Sequence, residues 1–198
     1  MPPLLRVLRW ESSVDERWLS TIAATVRREI PHYAHVHTAG EEMPSDPACF
    51  TVLSGRRALA AEHGLKYPSG LLHHLYRTIR PHEHRIAITD LPVIVSGNPF
   101  SHLVLSDDRS WALLSTAPLE GRLFALQHLI LHKAGHFLGL RHCTTSMLSG
   151  PCAMMGSDDV RHQYGCGYEG MTASEFCEKC RTLLEAPYTR TAERCVHF

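Results

Sequence analysis

Apolar and polar positions along the 198 residues fall into short strand-like runs, one amphipathic helix and one helix apolar nearly all round. Leu4 to Trp10 reads as a first strand, with Val7 and Leu8 at its centre. Ser13 is placed to cap a helix over Val14 to Glu29, with Glu16 three residues on. Its apolar positions, Trp18, Ile22, Ala23, Val26 and Ile30, recur at helical spacing until Pro31 stops it. Tyr33 to His37 reads as a second strand and Ala39 to Pro47 as a polar connection. Phe50 to Leu53 suggests a short strand, and Gly55 to Tyr76 a partly helical stretch broken near Pro68. Four strand-like runs follow: Arg85 to Leu91, Val93 to Ser96, His102 to Ser106 and Trp111 to Ser115. Turn signals separate them at Pro92, Gly97-Asn98-Pro99 and Asp107-Asp108. Leu119 to Leu138 is the strongest helix. Its apolar residues, among them Leu123, Phe124, Leu126, Leu129, Ile130, Leu131 and Phe137, cover most of its circumference, so it is expected to be central and buried. From Leu140 to Gly170 the chain is rich in glycine and cysteine with little periodicity. A last helix, roughly Ala173 to Glu185 and capped by Thr172, carries two cysteines.

Two helical positions change the picture from fold to chemistry. His132 and His136 lie four residues apart, so their rings project from one helix face a turn apart and can reach one metal ion. Gly139 can take positive φ and end the helix in a sharp turn. His142 then returns as a third ligand. Three neutral imidazoles leave tetrahedral zinc one open position, which is the arrangement of a catalytic rather than a structural site. A lone histidine would be an ordinary core or surface residue. The full H-x-x-x-H-x-x-G-x-x-H pattern has a stated mechanism and outweighs that reading.

His132 to His142 resembles the signature of the metzincin zinc peptidases, and Cys143 directly after it resembles the archaemetzincin branch. Cys152-Ala153-Met154 and Cys177-Glu178-Lys179-Cys180 extend the resemblance, which is strong over residues 119–185 and looser over 85–118, where Thr89-Asp90 follows an aliphatic strand. The loops depart from the family: eight residues separate Cys143 from Cys152, and twenty-two separate Met154 from Cys177. The resemblance implies an α/β (α+β) fold: a metzincin-like twisted sheet with helices, a zinc-binding active-site helix and a small irregular C-terminal lobe. It implies one catalytic domain over 1–198, with an upper lobe of about 1–139 and a lower lobe of about 140–198. Two Zn²⁺ sites follow, one of His132, His136 and His142, the other a closed structural site of Cys143, Cys152, Cys177 and Cys180. Cys166 lies in the same loop and is a competing ligand. A redox Cys-x-x-Cys or unrelated buried thiols are the alternatives. Met154 falls where the family has its Met-turn, an apolar floor under the histidine site. The expected ligand is an extended peptide or protein segment on the sheet's edge strand, expected at His102 to Ser106.

One residue departs from the pattern. The family has glutamate after the first histidine, the general base of hydrolysis, and this chain has Lys133. A protonated lysine cannot accept a proton, and loss of a positioned base costs about 10²–10⁴-fold in rate. Glu120 is about 20 Å away along the helix at 1.5 Å per residue. Asp158, Asp159 and Glu169 lie in the irregular loop, where nothing in the sequence places them, and a Lys133 made neutral by burial is a further candidate base. The expected activity is therefore hydrolysis of peptide bonds, impaired or abolished by Lys133. The alternative is an inactive descendant that binds a peptide or protein in the cleft.

Bulk composition adds limits. Twenty Lys and Arg balance twenty Asp and Glu, so no global field points to nucleic acid or an anionic membrane. No stretch approaches the about eighteen apolar residues of a membrane span, and the first residues lack a signal-peptide core. A cytoplasmic monomer is expected, where seven cysteines favour metal over disulfides. Cys49 and Cys195 are left as plain thiols. Twelve histidines fall outside the zinc motif. His73, His74, His82 and His84 form a loose cluster, and His128, one turn before His132, is a candidate to support it.

Overall fold

A computed structural model describes residues 3–9, 12–33, 35–39, 82–90, 103–105, 110–116, 123–143, 152–155 and 175–185. Along these the chain runs β1 (Leu4–Arg9), α1 (Glu16–Glu29), β2 (His35–Ala39), β3 (Glu83–Thr89), β4 (Leu103–Leu105), β5 (Trp111–Ser115), α2 (Leu123–Phe137) and α3 (Glu178–Glu185). The strands form one sheet in the order β2-β1-β3-β5-β4, parallel except for β4, which runs antiparallel to β5 at the edge. The architecture is the mixed α/β one expected.

All seven residues of β3 and all five of β5 are buried. That is why Ile86 to Ile88 and Trp111 to Leu114 are apolar without alternation: a central parallel strand is covered on both faces. Leu19, Ile22, Ala23 and Val26 of α1 fall on one buried stripe. Helix α2 packs against α1, β3 and β5, and its residues from Ala125 to Phe137 are all buried. Over that span the helix has no solvent face, so polar residues on it require a specific reason to be there. Buried charge elsewhere is paired: Glu83 accepts from Arg85 Nε at 2.7 Å and forms an ion pair with Arg6 at 3.1 Å.

Three sequence expectations are corrected. The cap of α1 is Asp15, not Ser13; its carboxylate accepts from the Arg17 amide at 2.7 Å. Ser13 is instead engaged by its own amide, which donates to Asp90 at 2.5 Å. Asp90 also accepts from Thr116 Oγ1 at 2.5 Å and from Ser12 Oγ at 3.3 Å, so it ties the β1–α1 turn to the ends of β3 and β5. The second strand starts at His35 because Pro31 to Tyr33 still form a turn closed by the Tyr33 amide on the Ile30 carbonyl. The last helix starts at Glu178 rather than Ala173. Glu175 to Cys177 are held in non-helical backbone by contacts described below. The expected runs at Phe50–Leu53, Gly55–Tyr76 and Val93–Ser96, and the Thr172 cap, lie outside the described residues.

Candidate metal centre

The end of α2 decides the geometry. Gly139 has φ 88, a conformation glycine takes at little cost. Its amide donates to His136 O at 2.9 Å and the Leu140 amide to Gly135 O at 3.0 Å, the paired bonds of a Schellman cap. The cap reverses the chain immediately, and the Leu140 carbonyl comes to face the His136 ring, accepting from Nδ1 at 2.8 Å. The chain then carries His142 back toward the helix. Its ring centre lies 5.2 Å from that of His132 and 5.0 Å from that of His136. One nitrogen from each of the three lies within 4.8 Å of the others.

His132 Nδ1 donates to the Ala153 carbonyl at 2.8 Å. A carbonyl only accepts, so both helical rings carry their proton on Nδ1 when neutral. Their Nε2 atoms then face each other at 2.9 Å as two acceptors. A proton between them would need one ring to be imidazolium. Burial, reinforced by the Lys133 ammonium and the rings of His136 and His128, holds the His132 imidazole well below its ordinary range, so that form is disfavoured. Two converging lone pairs with fixed tautomers are what a metal cation satisfies, and backbone acceptors on the far nitrogens are the usual support for metal-binding imidazoles. The donor set therefore fits zinc.

Cys143, Cys152, Cys177 and Cys180 form a second cluster, with all four sulfurs within 4.8 Å of one another. Two of the separations, Cys143 to Cys177 and Cys152 to Cys180, are 3.7 Å. Zinc–sulfur bonds of about 2.3 Å set tetrahedral edges of about 3.8 Å, so the spacing suits zinc. The amides of Cys177 and Met154 point at Cys152 Sγ, at 3.3 and 3.5 Å. Hydrogen bonds from Cys180 and from these amides lower Cys152 to about 5, and the Cys180 thiol is correspondingly raised. These are the two donor clusters found among the described residues.

Met154 lies under α2: a Cβ placed on Gly135 would come 2.5 Å from its Sδ, with Leu140 and Phe176 each at 3.3 Å. Lys133 is buried, 6% exposed, directly after His132. His128 stacks against His132 with ring centres 6.1 Å apart. His84 is placed otherwise: buried, it meets Tyr33 Oη through Nδ1 at 2.6 Å and packs on Phe137. His82 is exposed with φ 64. Cys49, Cys166, Cys195, Glu120, Asp158, Asp159, Glu169, His73 and His74 lie outside the described residues. Among the described residues, no helix is long and apolar enough to cross a membrane.

The sequence reading missed the supporting groups. Ala153 and Leu140 act through backbone carbonyls, which no residue type signals. Glu29, buried on α1, accepts from Arg28 at 2.9 Å, from the Phe176 amide at 3.3 Å and from Arg181 at 3.2 Å, and so fixes the chain just before Cys177. A carboxylate on the apolar stripe of α1 was the available signal.

Solved structures supply the comparison. An archaemetzincin from Methanopyrus kandleri is 17% identical over 92% of this chain and 93% of its own, with a TM-score of 0.65. The chain has the archaemetzincin fold. A zinc-dependent peptidase from Methanocorpusculum labreanum matches at 15% identity over 90% of this chain and 99% of its own, with a TM-score of 0.58. An archaemetzincin from Archaeoglobus fulgidus, in complex with malonate, matches at 16% over 90% and 98%, with a TM-score of 0.56. No protein-family model matches the chain, and no curated protein matches it in sequence. The expected archaemetzincin-like fold is thus found at identities too low to carry residue roles. Beside that fold stand two clusters of side chains that could each hold a metal ion.

Proposed function

We propose that the chain is an archaemetzincin-like zinc metallopeptidase whose hydrolysis of peptide bonds is restrained by Lys133. His132, His136 and His142 hold one zinc, and Cys143, Cys152, Cys177 and Cys180 hold a second, structural one. What supports this most is the convergence of the His132 and His136 Nε2 atoms at 2.9 Å with both Nδ1 protons committed to carbonyls. Bound zinc supplies Lewis acidity toward a peptide carbonyl and a water molecule. The residues of the chain do the rest. The carbonyls of Ala153 and Leu140 hold the proton of each imidazole on Nδ1 and keep the ring correctly turned, and Met154 and Phe176 close the floor beneath α2. An extended peptide or protein segment pairs with β4, the antiparallel edge strand. The protein works as a cytoplasmic monomer.

Lys133 favours a second reading, in which the site binds peptides without cleaving them. Its ammonium presents no acceptor where a general base is required, and removal of such a base typically leaves about 10⁻²–10⁻⁴ of the rate. The test is cleavage of a mixed peptide library by zinc-loaded protein, beside Lys133→Glu and His136→Ala. Slow cleavage by the parent, faster by Lys133→Glu and absent from His136→Ala, is the expected pattern. Cleavage by Lys133→Glu with none by the parent favours the binding protein. Robust cleavage by the parent that Lys133→Glu does not improve would sink the role given to Lys133. Cleavage by none of the three would remove the peptidase reading.

A further inference from the structure

The two clusters share their scaffolding. His142 is peptide-bonded to Cys143, and the Cys143 amide donates to Met154 O at 2.8 Å. Ala153, whose carbonyl fixes the His132 tautomer, sits between Cys152 and Met154; its own amide donates to Glu175 O at 2.9 Å, two residues before Cys177. Cys152, Ala153 and Met154 are 1%, 0% and 0% exposed, although 152–155 is only a turn, with no helix or strand to hold it. Three separate segments, 140–143, 152–155 and 175–180, are brought together here, and each contributes at least one of the four sulfurs. Two of the three also contribute the groups that finish the histidine site.

We propose that the four-cysteine cluster is the positioning element of the three-histidine site, so that metal loads in order, cysteines first, and the histidine site loses affinity when the thiolates are unligated. The proposal rests on both clusters taking zinc. The physical argument is one of chain freedom. His132 and His136 are placed by a buried helix whether or not the loops are ordered. Their partners are not: the Ala153 carbonyl and the His142 ring sit on loop backbone whose ordering opposes a large conformational entropy. Metal on the thiolates couples its binding energy to that ordering. With the cluster empty, His132 loses its tautomer-setting acceptor and the third imidazole loses its anchor. Loss of such outer partners typically weakens metal binding about 10–100-fold.

The test is an anaerobic titration of the reduced, metal-free full chain with Co²⁺, which colours the two sites differently. Thiolate ligation adds intense near-ultraviolet charge-transfer absorption, and the histidine site adds only weak visible bands. In the unsubstituted chain the charge-transfer absorption is expected to saturate with the first equivalent and the histidine bands to grow with the second. Cys180 sits on α3, in neither segment that carries histidine-site groups. Cys180→Ser is expected to weaken cobalt at the histidines by about 10–100-fold, and Cys180→His, which restores a ligand compatible with zinc, to recover most of it. A folded Cys180→Ser chain whose histidine-site affinity stays within about twofold of the parent overturns the proposal. If that variant does not fold, the order in the parent decides, and histidine bands that precede the thiolate absorption overturn it. A parent that shows the thiolate absorption but never binds cobalt at its histidines removes the zinc reading of that site itself, a failure distinct from independence of the two.

Discussion

Replacing Glu29 with glutamine tests how the loop around the cysteines is held. Glu29 is 7% exposed and gathers three donors: Arg28 Nε at 2.9 Å, Arg181 Nη2 at 3.2 Å and the Phe176 amide at 3.3 Å. Glutamine keeps the shape and one acceptor oxygen but removes the charge. A hydrogen bond to a charged group contributes about 1.5–3 kcal/mol against about 0.5–1.5 for a neutral one. The Arg28 and Arg181 side chains are 63% and 46% exposed, so their share is discounted toward the about 0–1 kcal/mol of surface pairs. The expected loss is about 1–2 kcal/mol, a fall in Tm of about 2–8 °C for a chain of this size. The pH dependence has a definite sign. Burial raises the Glu29 carboxyl, but Arg28, the Phe176 amide and Arg181 outweigh it and hold it below the ordinary 4.5. A depressed folded pKa contributes stability that is present above the unfolded value and lost as pH falls through the folded one. Thermal unfolding of parent and variant should therefore differ at neutral pH and converge as the pH falls below 4.5 and through the depressed folded pKa. Equal Tm values at neutral pH, or a gap that persists unchanged at low pH, would refute the clamp.

Other expectations follow from single contacts. Asp90→Asn should cost about 1–2 kcal/mol by weakening the charged acceptor of Ser12, Ser13 and Thr116; burial opposes ionisation there, but the hydrogen bonds from Ser13 and Thr116 win and hold the carboxyl below 3.8, so the parent's advantage should vanish under acid denaturation below that pH. Gly135→Ala adds a methyl 2.5 Å from Met154 Sδ; overpacking of about 1–3 kcal/mol exceeds the about 1 kcal/mol gained in helix propensity, so Tm should fall by a few degrees, and a rise would show that Met154 moves freely. Chelation should lower Tm, because a metal bound only to the folded chain adds about 2.7 kcal/mol at a hundred times its dissociation constant; a Tm that chelator and restored zinc leave unmoved speaks against either cluster holding metal.

How much of this the sequence discloses depends on whether the determinant is a side-chain type or a backbone position. The buried helix, the chelating pair His132 and His136, the turn at Gly139 and the four cysteines are legible because each needs a particular residue at a particular spacing. The acceptors at Ala153 and Leu140 are invisible, since any residue supplies a carbonyl. The α1 cap was misread for a related reason: Ser13 and Asp15 are both good caps, and only the distant Asp90, which engages the Ser13 amide, decides between them. The late start of α3 is likewise tertiary, because Glu29 and Ala153 take up the backbone of 175 and 176 before the helix can.

Lys133 is the point where fold and chemistry part. The committed Nδ1 protons and the cap that returns His142 are independent of the residue after His132. The position is buried, so the lysine is not a surface change without consequence. Burial first, and the Lys133 cation after it, depress protonation of His132 and keep its Nε2 available to metal, while the ammonium supplies no proton acceptor at that position. Metal affinity and catalytic power are thus separable here, and Lys133→Glu should move the second far more than the first.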